Sequence, residues 1–312
     1  MTFADYVDAR RREVEAALER HLPQPPVVPA VVADAMRYSL MAGGKRLRPL
    51  LVLAGAEGVA QAAGSSEAAA RDAAMPAACA LEMIHTYSLI HDDLPSMDDD
   101  DWRRGRPTSH VVHGEGLAIL AGDGLQAEAF GLLAREPEGY HPVLMTRKLR
   151  VIALVAAAAG PAGMVGGQAI DLTAVSPRPG TDTVALDAAG LQGMHMRKTG
   201  ALIRASVVAG AVMAGADERL IAAVDHYGQE IGLAFQIVDD ILDVEGAAAT
   251  LGKTAGKDEA AGKPTYPAFF GLEQARALAA GCHTRAREAL DRAGLLESRL
   301  NDIAGWIINR KS

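Results

Sequence analysis

Cysteine is nearly absent from this chain. There are two in 312 residues, Cys79 and Cys282, far apart and in no metal-ligand spacing. That excludes a disulfide framework and makes a reducing, cytoplasmic setting the expected one. Aromatic residues are scarce as well, at 4%, so a cavity built from this sequence must be lined mainly by aliphatic side chains. Cations are outnumbered, with 31 Lys and Arg against 39 Asp and Glu and a net charge of −8. That is the wrong sign for a nucleic-acid-binding footprint. No stretch sustains the period-two alternation of a half-buried strand, and there is no G-x-G-x-x-G or G-x-x-x-x-G-K-S phosphate loop and no repeat of fixed period. The first twenty residues lack a continuous apolar core, so they do not read as a secretory signal. The uncharged run 151–170 is mostly Ala and Gly and contains Pro161. It reads as a buried helix broken near that proline rather than as a membrane span.

What remains is helical pattern. Phe3, Val7, Val14, Leu18 and Leu22 recur at helical spacing, and Pro23 to Pro29 breaks the run. Further helices are expected over 30–42, 50–63, from about 68 to the low nineties, 117–134, 143–175, from about 184, 217–245 and through much of 268–312. The expectation is an all-α fold in one domain spanning 1–312, a bundle of about ten helices around a central cavity. Between helices, Lys45, Arg46 and Arg48 are expected in an unwound segment ended by Gly43-Gly44 on one side and Pro49 on the other. Such a segment can aim cations and backbone N–H groups at phosphate. On the fourth helix His85, Ser88 and Asp92 share a face. Gln168 and Asp171 lie one helical step apart beside Gly166-Gly167, while Asp123, Gln126 and Glu128 are expected to be structural. Gly200 permits a bend that would free backbone carbonyls near Lys198-Thr199.

Two acidic clusters stand out. Asp92, Asp93 and Asp98 to Asp101 put six carboxylates into ten residues beside an apolar run, and Arg103, Arg104 and Arg106 follow. Asp239, Asp240 and Asp243 sit within FQIVDDILDVE, surrounded by Phe235, Ile237, Val238, Ile241, Leu242 and Val244. Asp239 and Asp243 are one turn apart on one helix face, where like charges destabilise a bare helix. A solvated acidic loop would account for the first cluster alone. It does not account for carboxylates embedded in apolar sequence, which need a cation. Hard oxygen donors at this density suit Mg²⁺ shared with substrate phosphate, and the neighbouring arginines suit the phosphate itself.

In this order the segments GGKRLRP (43–49), DDLPSMD (92–98), Lys198-Thr199-Gly200, Gln236 with DDILD (239–243) and Leu251-Gly252-Lys253 resemble the trans-isoprenyl diphosphate synthases, over about residues 38 to 270. Within that family the likeness is strongest to the bacterial farnesyl diphosphate synthases. The resemblance implies the isoprenoid synthase fold, a homodimer, and three Mg²⁺ ions held by Asp92, Asp93, Asp98, Asp239, Asp240 and Asp243. It implies that Lys45, Arg48, His85 and Arg104 hold isopentenyl diphosphate. Arg103, Lys198, Thr199, Gln236 and Lys253 would then serve the allylic diphosphate, with Asp92, Asp98, Lys198 and Asp239 nearest the chemistry. Residues 246–267, Gly- and Lys-rich by sequence, read as a mobile lid over phosphate or simply as a surface loop. Tyr87 and Ser88, just before the first cluster, would floor the cavity and stop elongation at a fifteen-carbon product. A geranylgeranyl diphosphate synthase differs only in cavity depth and stays open. A terpene cyclase would lack GGKRLRP and the paired second motif, and a non-catalytic synthase subunit would have lost one of the aspartate motifs.

Overall fold

The computed structural model describes residues 1–175, 186–249 and 265–310. Among these residues the chain is almost wholly helical: α1 (Phe3–His21), α2 (Ala30–Leu40), α3 (Leu47–Ala62), α4 (Glu67–Asp92), α5 (Ser109–His113), α6 (Glu115–Arg135), α7 (Pro142–Ala159), α8 (Met164–Val175), α9 (Ala188–His195), α10 (Ala201–Ala214), α11 (Glu218–Ala249), α12 (Tyr266–Phe270), α13 (Leu272–Ala293) and α14 (Arg299–Asn309). The buried apolar side chains form one connected cluster. Its centre is α10, which packs against α3, α4, α7 and α11. Of these helices α3 is the most enclosed and shows almost no polar stripe, as a helix buried on all sides must. In α3 every residue from Leu47 to Ala60 is buried. Helices this close need small residues at the crossing. A Cβ added at Gly210 of α10 would lie 1.9 Å from the Val52 carbonyl oxygen of α3.

Several expectations change. The basic segment is shorter than expected, because α3 begins at Leu47 with Arg46 as its N-cap in the left-handed region, φ 51°. Arg48 and Pro49 therefore belong to the first helical turn, where a proline's missing N–H costs nothing. A small hairpin interrupts the all-helical pattern: β1 (Trp102–Arg103) pairs antiparallel with β2 (Arg106–Pro107). Its turn places Arg104 at φ 53° and Gly105 at φ 73°, the positive pair of a tight two-residue hairpin. At two residues per strand it is too short for a periodicity signal. The 151–170 run does break, between α7 and α8, but it is not the buried helix expected. Fewer than half of the residues in α6 and in the 142–174 stretch are buried. Both pass a length-and-apolarity test for membrane crossing, although α6 packs along α4 and α7 packs on α10. The bend expected at Gly200 is a π-helical turn, Met196–Gly200, joining α9 to α10. Finally, α11 continues to Ala249, past the predicted start of the lid. The rest of that predicted lid up to residue 264, with Lys253, lies outside the described residues.

The π-turn is preceded by a buried histidine. His195 is 6% exposed, and its Nδ1 is enclosed with no hydrogen-bond partner among the described residues. Its ring leans on Tyr266 at a centroid distance of 5.8 Å. Burial pushes its pKa from 6.5 down to about 4, with Asp171 of α8 pulling up and Lys198 of the π-turn pushing down. The folded form refuses a proton that the unfolded chain accepts, so stability is complete above about 6.5 and falls as pH drops towards 4. From this residue the loss between pH 7 and pH 5 is about 2 kcal/mol. Urea unfolding at the two pH values should show a smaller loss for His195→Asn than for the wild type. An unchanged loss would assign the acid sensitivity elsewhere.

Candidate active site

The basic segment, α4, the hairpin turn and the middle of α11 surround a cavity of about 620 Å³ lined by Lys45, Arg46, Arg48, Glu82, His85, Arg104 and Phe235 among others. Arg46 does not point to substrate space. It is 3% exposed and donates through Nη1 to Glu82 Oε1 at 2.8 Å and through Nη2 to the Leu40 carbonyl at 2.8 Å. This buried strut ties the end of α2 to α4 and fixes the left-handed cap from which Lys45 and Arg48 extend on either side. Glu82 lies one turn before His85, and sequence reading missed it because nothing distinguishes it from other helix acids. His85 is held neutral: burial and the cations of Arg48, Arg104, Arg103 and Arg46 push its pKa well below 6.5. Arg104, at the hairpin turn, donates to the Gly43 carbonyl, closing the cavity across Gly43-Gly44.

The first acidic cluster sits at the end of α4. The chain folds back after Asp93, with the Asp98 N–H donating to the Asp92 carbonyl at 2.9 Å and the Asp100 N–H to the Asp93 carbonyl at 3.2 Å. Asp98 thus returns beside Asp92 through a loop, as Pro95 requires. Asp92 is buried at 7% exposure, and its Oδ1 accepts from Gln168 Nε2 of α8 at 3.0 Å. Burial pushes its carboxyl up while Lys198 pulls it down. Asp93 is claimed by Arg103, whose Nε donates at 2.7 Å and whose Nη2 lies 2.6 Å away. Lys198 Nζ lies 2.5 Å from Asp171 Oδ2 and stays charged through the pull of Asp92, Asp171 and Asp98 against burial. The glycines before Gln168 make this possible, since a Cβ at Gly167 would strike the Lys198 backbone nitrogen at 2.2 Å.

The second cluster lies midway along α11. A relay joins it to the π-turn: Thr199 Oγ1 donates to Gln236 Oε1 at 3.1 Å, and Gln236 Nε2 donates to Asp240 Oδ1 at 3.0 Å. The other Asp240 oxygen accepts the Tyr266 N–H at 2.9 Å, so Asp240 anchors the chain where it re-enters the bundle at α12. Asp239 keeps 42% of its side-chain surface open and pairs with Arg310, the residue that caps the end of α14. Burial raises its carboxyl pKa, and Arg310, Lys45 and Arg48 lower it. Asp243 follows one turn further along and is partly buried. Tyr87 is buried at 4%, meets His91 edge-on at 5.6 Å, and is pushed up to about 12 by burial and by the charge of Asp92. Gln126 of α6 lies beside its hydroxyl. Ser88 Oγ donates back to the His85 carbonyl at 2.8 Å.

The donor set fits a hard divalent ion in one respect and not in another. The unions of Asp92 with Asp98 and of Asp239 with Asp243 offer oxygen donors only, as Mg²⁺ takes. Yet among the described residues no three His, Cys, Asp or Glu side chains converge as a ready shell. The arrangement suits an ion that brings water and phosphate oxygens to complete its coordination, not a resident metal.

The same combination of helices and charges recurs in known proteins. The chain is 45% identical to a farnesyl diphosphate synthase of Escherichia coli over 99% of both chains. It is 44% identical to a geranylgeranyl diphosphate synthase of Cyanophora paradoxa, over 98% of this chain and 96% of that one. The apo crystal structure of an FPP/GFPP synthase from Zymomonas mobilis superimposes with a TM-score of 0.82 at 36% identity, covering 98% of each chain. Residues 29–293 match the polyprenyl synthetase family profile. With that span matched and relatives aligned nearly end to end, the chain belongs to the polyprenyl synthetase family.

Proposed function

We propose that this prenyltransferase condenses dimethylallyl diphosphate, then geranyl diphosphate, with isopentenyl diphosphate to give farnesyl diphosphate. One observation supports it above the others: Lys45 and Arg48 lie near enough to Asp239 to shift its carboxyl. A cationic cradle and the second acidic cluster therefore lie within electrostatic reach of each other, as two diphosphate stations must. In this reading Lys45, Arg48, Arg104 and neutral His85 hold isopentenyl diphosphate. Three Mg²⁺ ions, held by Asp92 and Asp98 on one side and Asp239 on the other, would neutralise charge developing on the departing diphosphate. Asp93, Asp240 and Asp243 orient the neighbouring groups, as their ties to Arg103 and to Gln236 and Tyr266 suggest for the first two. Lys198 and Arg103 place fixed cations where the leaving group gains charge, and Lys253 joins them in this proposal from outside the described residues. The π-turn loosens regular carbonyl pairing near Lys198-Thr199, leaving oxygen dipoles that favour an allylic cation without attacking it.

A longer product is the second reading, because relatives named for farnesyl and for geranylgeranyl diphosphate match at 45% and 44% identity. Tyr87 favours the shorter one, since its bulky ring stands just before the first acidic cluster, where the resemblance puts the aromatic that stops elongation. Exposed apolar side chains also favour a homodimer. Val112, Ile119, Leu120, Val143, Leu149 and Val165 are 41–62% exposed along α5, α6, α7 and α8. A second copy is the occupant proposed, because the intervening Arg147 and Arg150 suit a hydrocarbon core poorly and a net charge of −8 suits an anionic headgroup surface poorly.

Incubation with dimethylallyl and isopentenyl diphosphates should give farnesyl diphosphate with Mg²⁺ and no product with chelator. Accumulation of the twenty-carbon product would select the second reading, and no product under either condition would reject prenyl transfer. Tyr87→Ala should shift the product to twenty carbons or more, and an unchanged fifteen-carbon product would place the floor elsewhere. Sedimentation equilibrium should return twice the chain mass, with Leu120→Glu halving it. A monomeric wild type would rule out the dimer.

A further inference from the structure

Arg310 is held in an unusual way. Its Nη2 lies 2.5 Å from Asp239 Oδ1 and 2.7 Å from the Phe235 carbonyl oxygen. Its guanidinium carbon sits 3.9 Å over the Phe235 ring, a cation–π distance. The side chain is 4% exposed, whereas the Asp239 side chain keeps 42% of its surface open. Its Nε is enclosed with no hydrogen-bond partner among the described residues. A guanidinium with five donors, taken from water with one of them unmatched, is less than fully satisfied. Its carboxylate partner, by contrast, is still open to solvent. The pair also lies beside two more cations, Lys45 and Arg48, which both act on Asp239.

We propose that Arg310 is a built-in cation that occupies Asp239 before any metal does, and that it must release this oxygen for the second acidic cluster to take a divalent ion. The inference rests on the reading of Asp239 as a metal-binding residue. A guanidinium 2.5 Å from Asp239 Oδ1 weakens divalent-ion binding at that carboxylate, because the two cations repel at close range and compete for the same group. Lys45 and Arg48 add to that repulsion. A metal ion arriving alone meets three cations at this wall. A metal ion arriving with diphosphate brings the negative charge that offsets them. Arg310 therefore makes metal binding at the second cluster depend on diphosphate. Phe235 is the platform that keeps the guanidinium in place, so it acts as a positioning residue through Arg310.

The test is Mn²⁺ binding to the full chain, followed by the loss of the free-ion paramagnetic resonance signal, with and without inorganic pyrophosphate. In the absence of pyrophosphate, Arg310→Gln should tighten one class of Mn²⁺ site about fivefold or more, within the usual range of coupling between sites. Phe235→Leu should shift it the same way by less, and Arg310→Lys should fall between wild type and Gln. With pyrophosphate present the difference should shrink. Asp239→Asn should remove that class in both the wild-type and the Arg310→Gln backgrounds. Equal or weaker Mn²⁺ binding by Arg310→Gln and Phe235→Leu, with Asp239→Asn still removing a site, would overturn the role of Arg310 alone. No loss of a site in Asp239→Asn would instead overturn the assignment of Asp239 to metal. Circular-dichroism melting identifies a variant that has not folded, and Phe235→Leu, which leaves both charges intact, then decides.

Discussion

A carboxylate carried into a helical bundle is unfavourable unless a cation answers it. Asp92, Asp93 and Asp239 are all pushed towards protonation by burial. Each is answered from a different element: Asp92 by Lys198 and Gln168, Asp93 by Arg103, and Asp239 by Arg310. These pairings cross from α4 to α8 and the π-turn, from α4 to the hairpin, and from α11 to α14. The charges that the proposed reaction would use are therefore the same contacts that join these elements around the cavity. The helices supply rigidity. Close crossings such as Gly210 on Val52 and Gly167 on Lys198 leave little freedom for the walls to move apart.

This arrangement also accounts for the absence of a preassembled metal shell. The protein's own cations compensate the acids one by one, so no cluster of three bare ligands exists among the described residues. A bound metal with diphosphate would redistribute these partners without needing the helices to separate. The Thr199–Gln236–Asp240–Tyr266 relay couples the second cluster to both the π-turn and the re-entry of the chain at α12. A change at the metal-facing carboxylates would thereby be felt at the start of α12.

Much of the fold was legible because its signals are local and periodic. The Phe3-to-Leu22 pattern, the Ala-rich run ending at Asp92 and the apolar frame of FQIVDDILDVE each define a helix within a few residues of its observed bounds. The acidic clusters were legible because carboxylates in apolar sequence conflict with packing. Other features depend on contacts that a linear reading cannot reach. Arg46 looked like a third phosphate-facing cation, but its partner Glu82 lies 36 residues away and turns it inward. Arg310 carries no motif at all, and its meaning comes only from lying over Phe235. The Trp102–Pro107 hairpin is too short to alternate. The 151–170 run looked buried because it lacks charge, whereas much of its apolar surface is left uncovered by this chain alone.

The central claim is that the two acidic walls hold divalent ions and one diphosphate between them. Anomalous diffraction from crystals grown with Mn²⁺ and inorganic pyrophosphate tests it most directly. The account predicts manganese peaks in contact with Asp92 and with Asp239, joined by pyrophosphate oxygens within the same cavity. Manganese absent from both aspartates, or pyrophosphate bound outside that cavity, would contradict it.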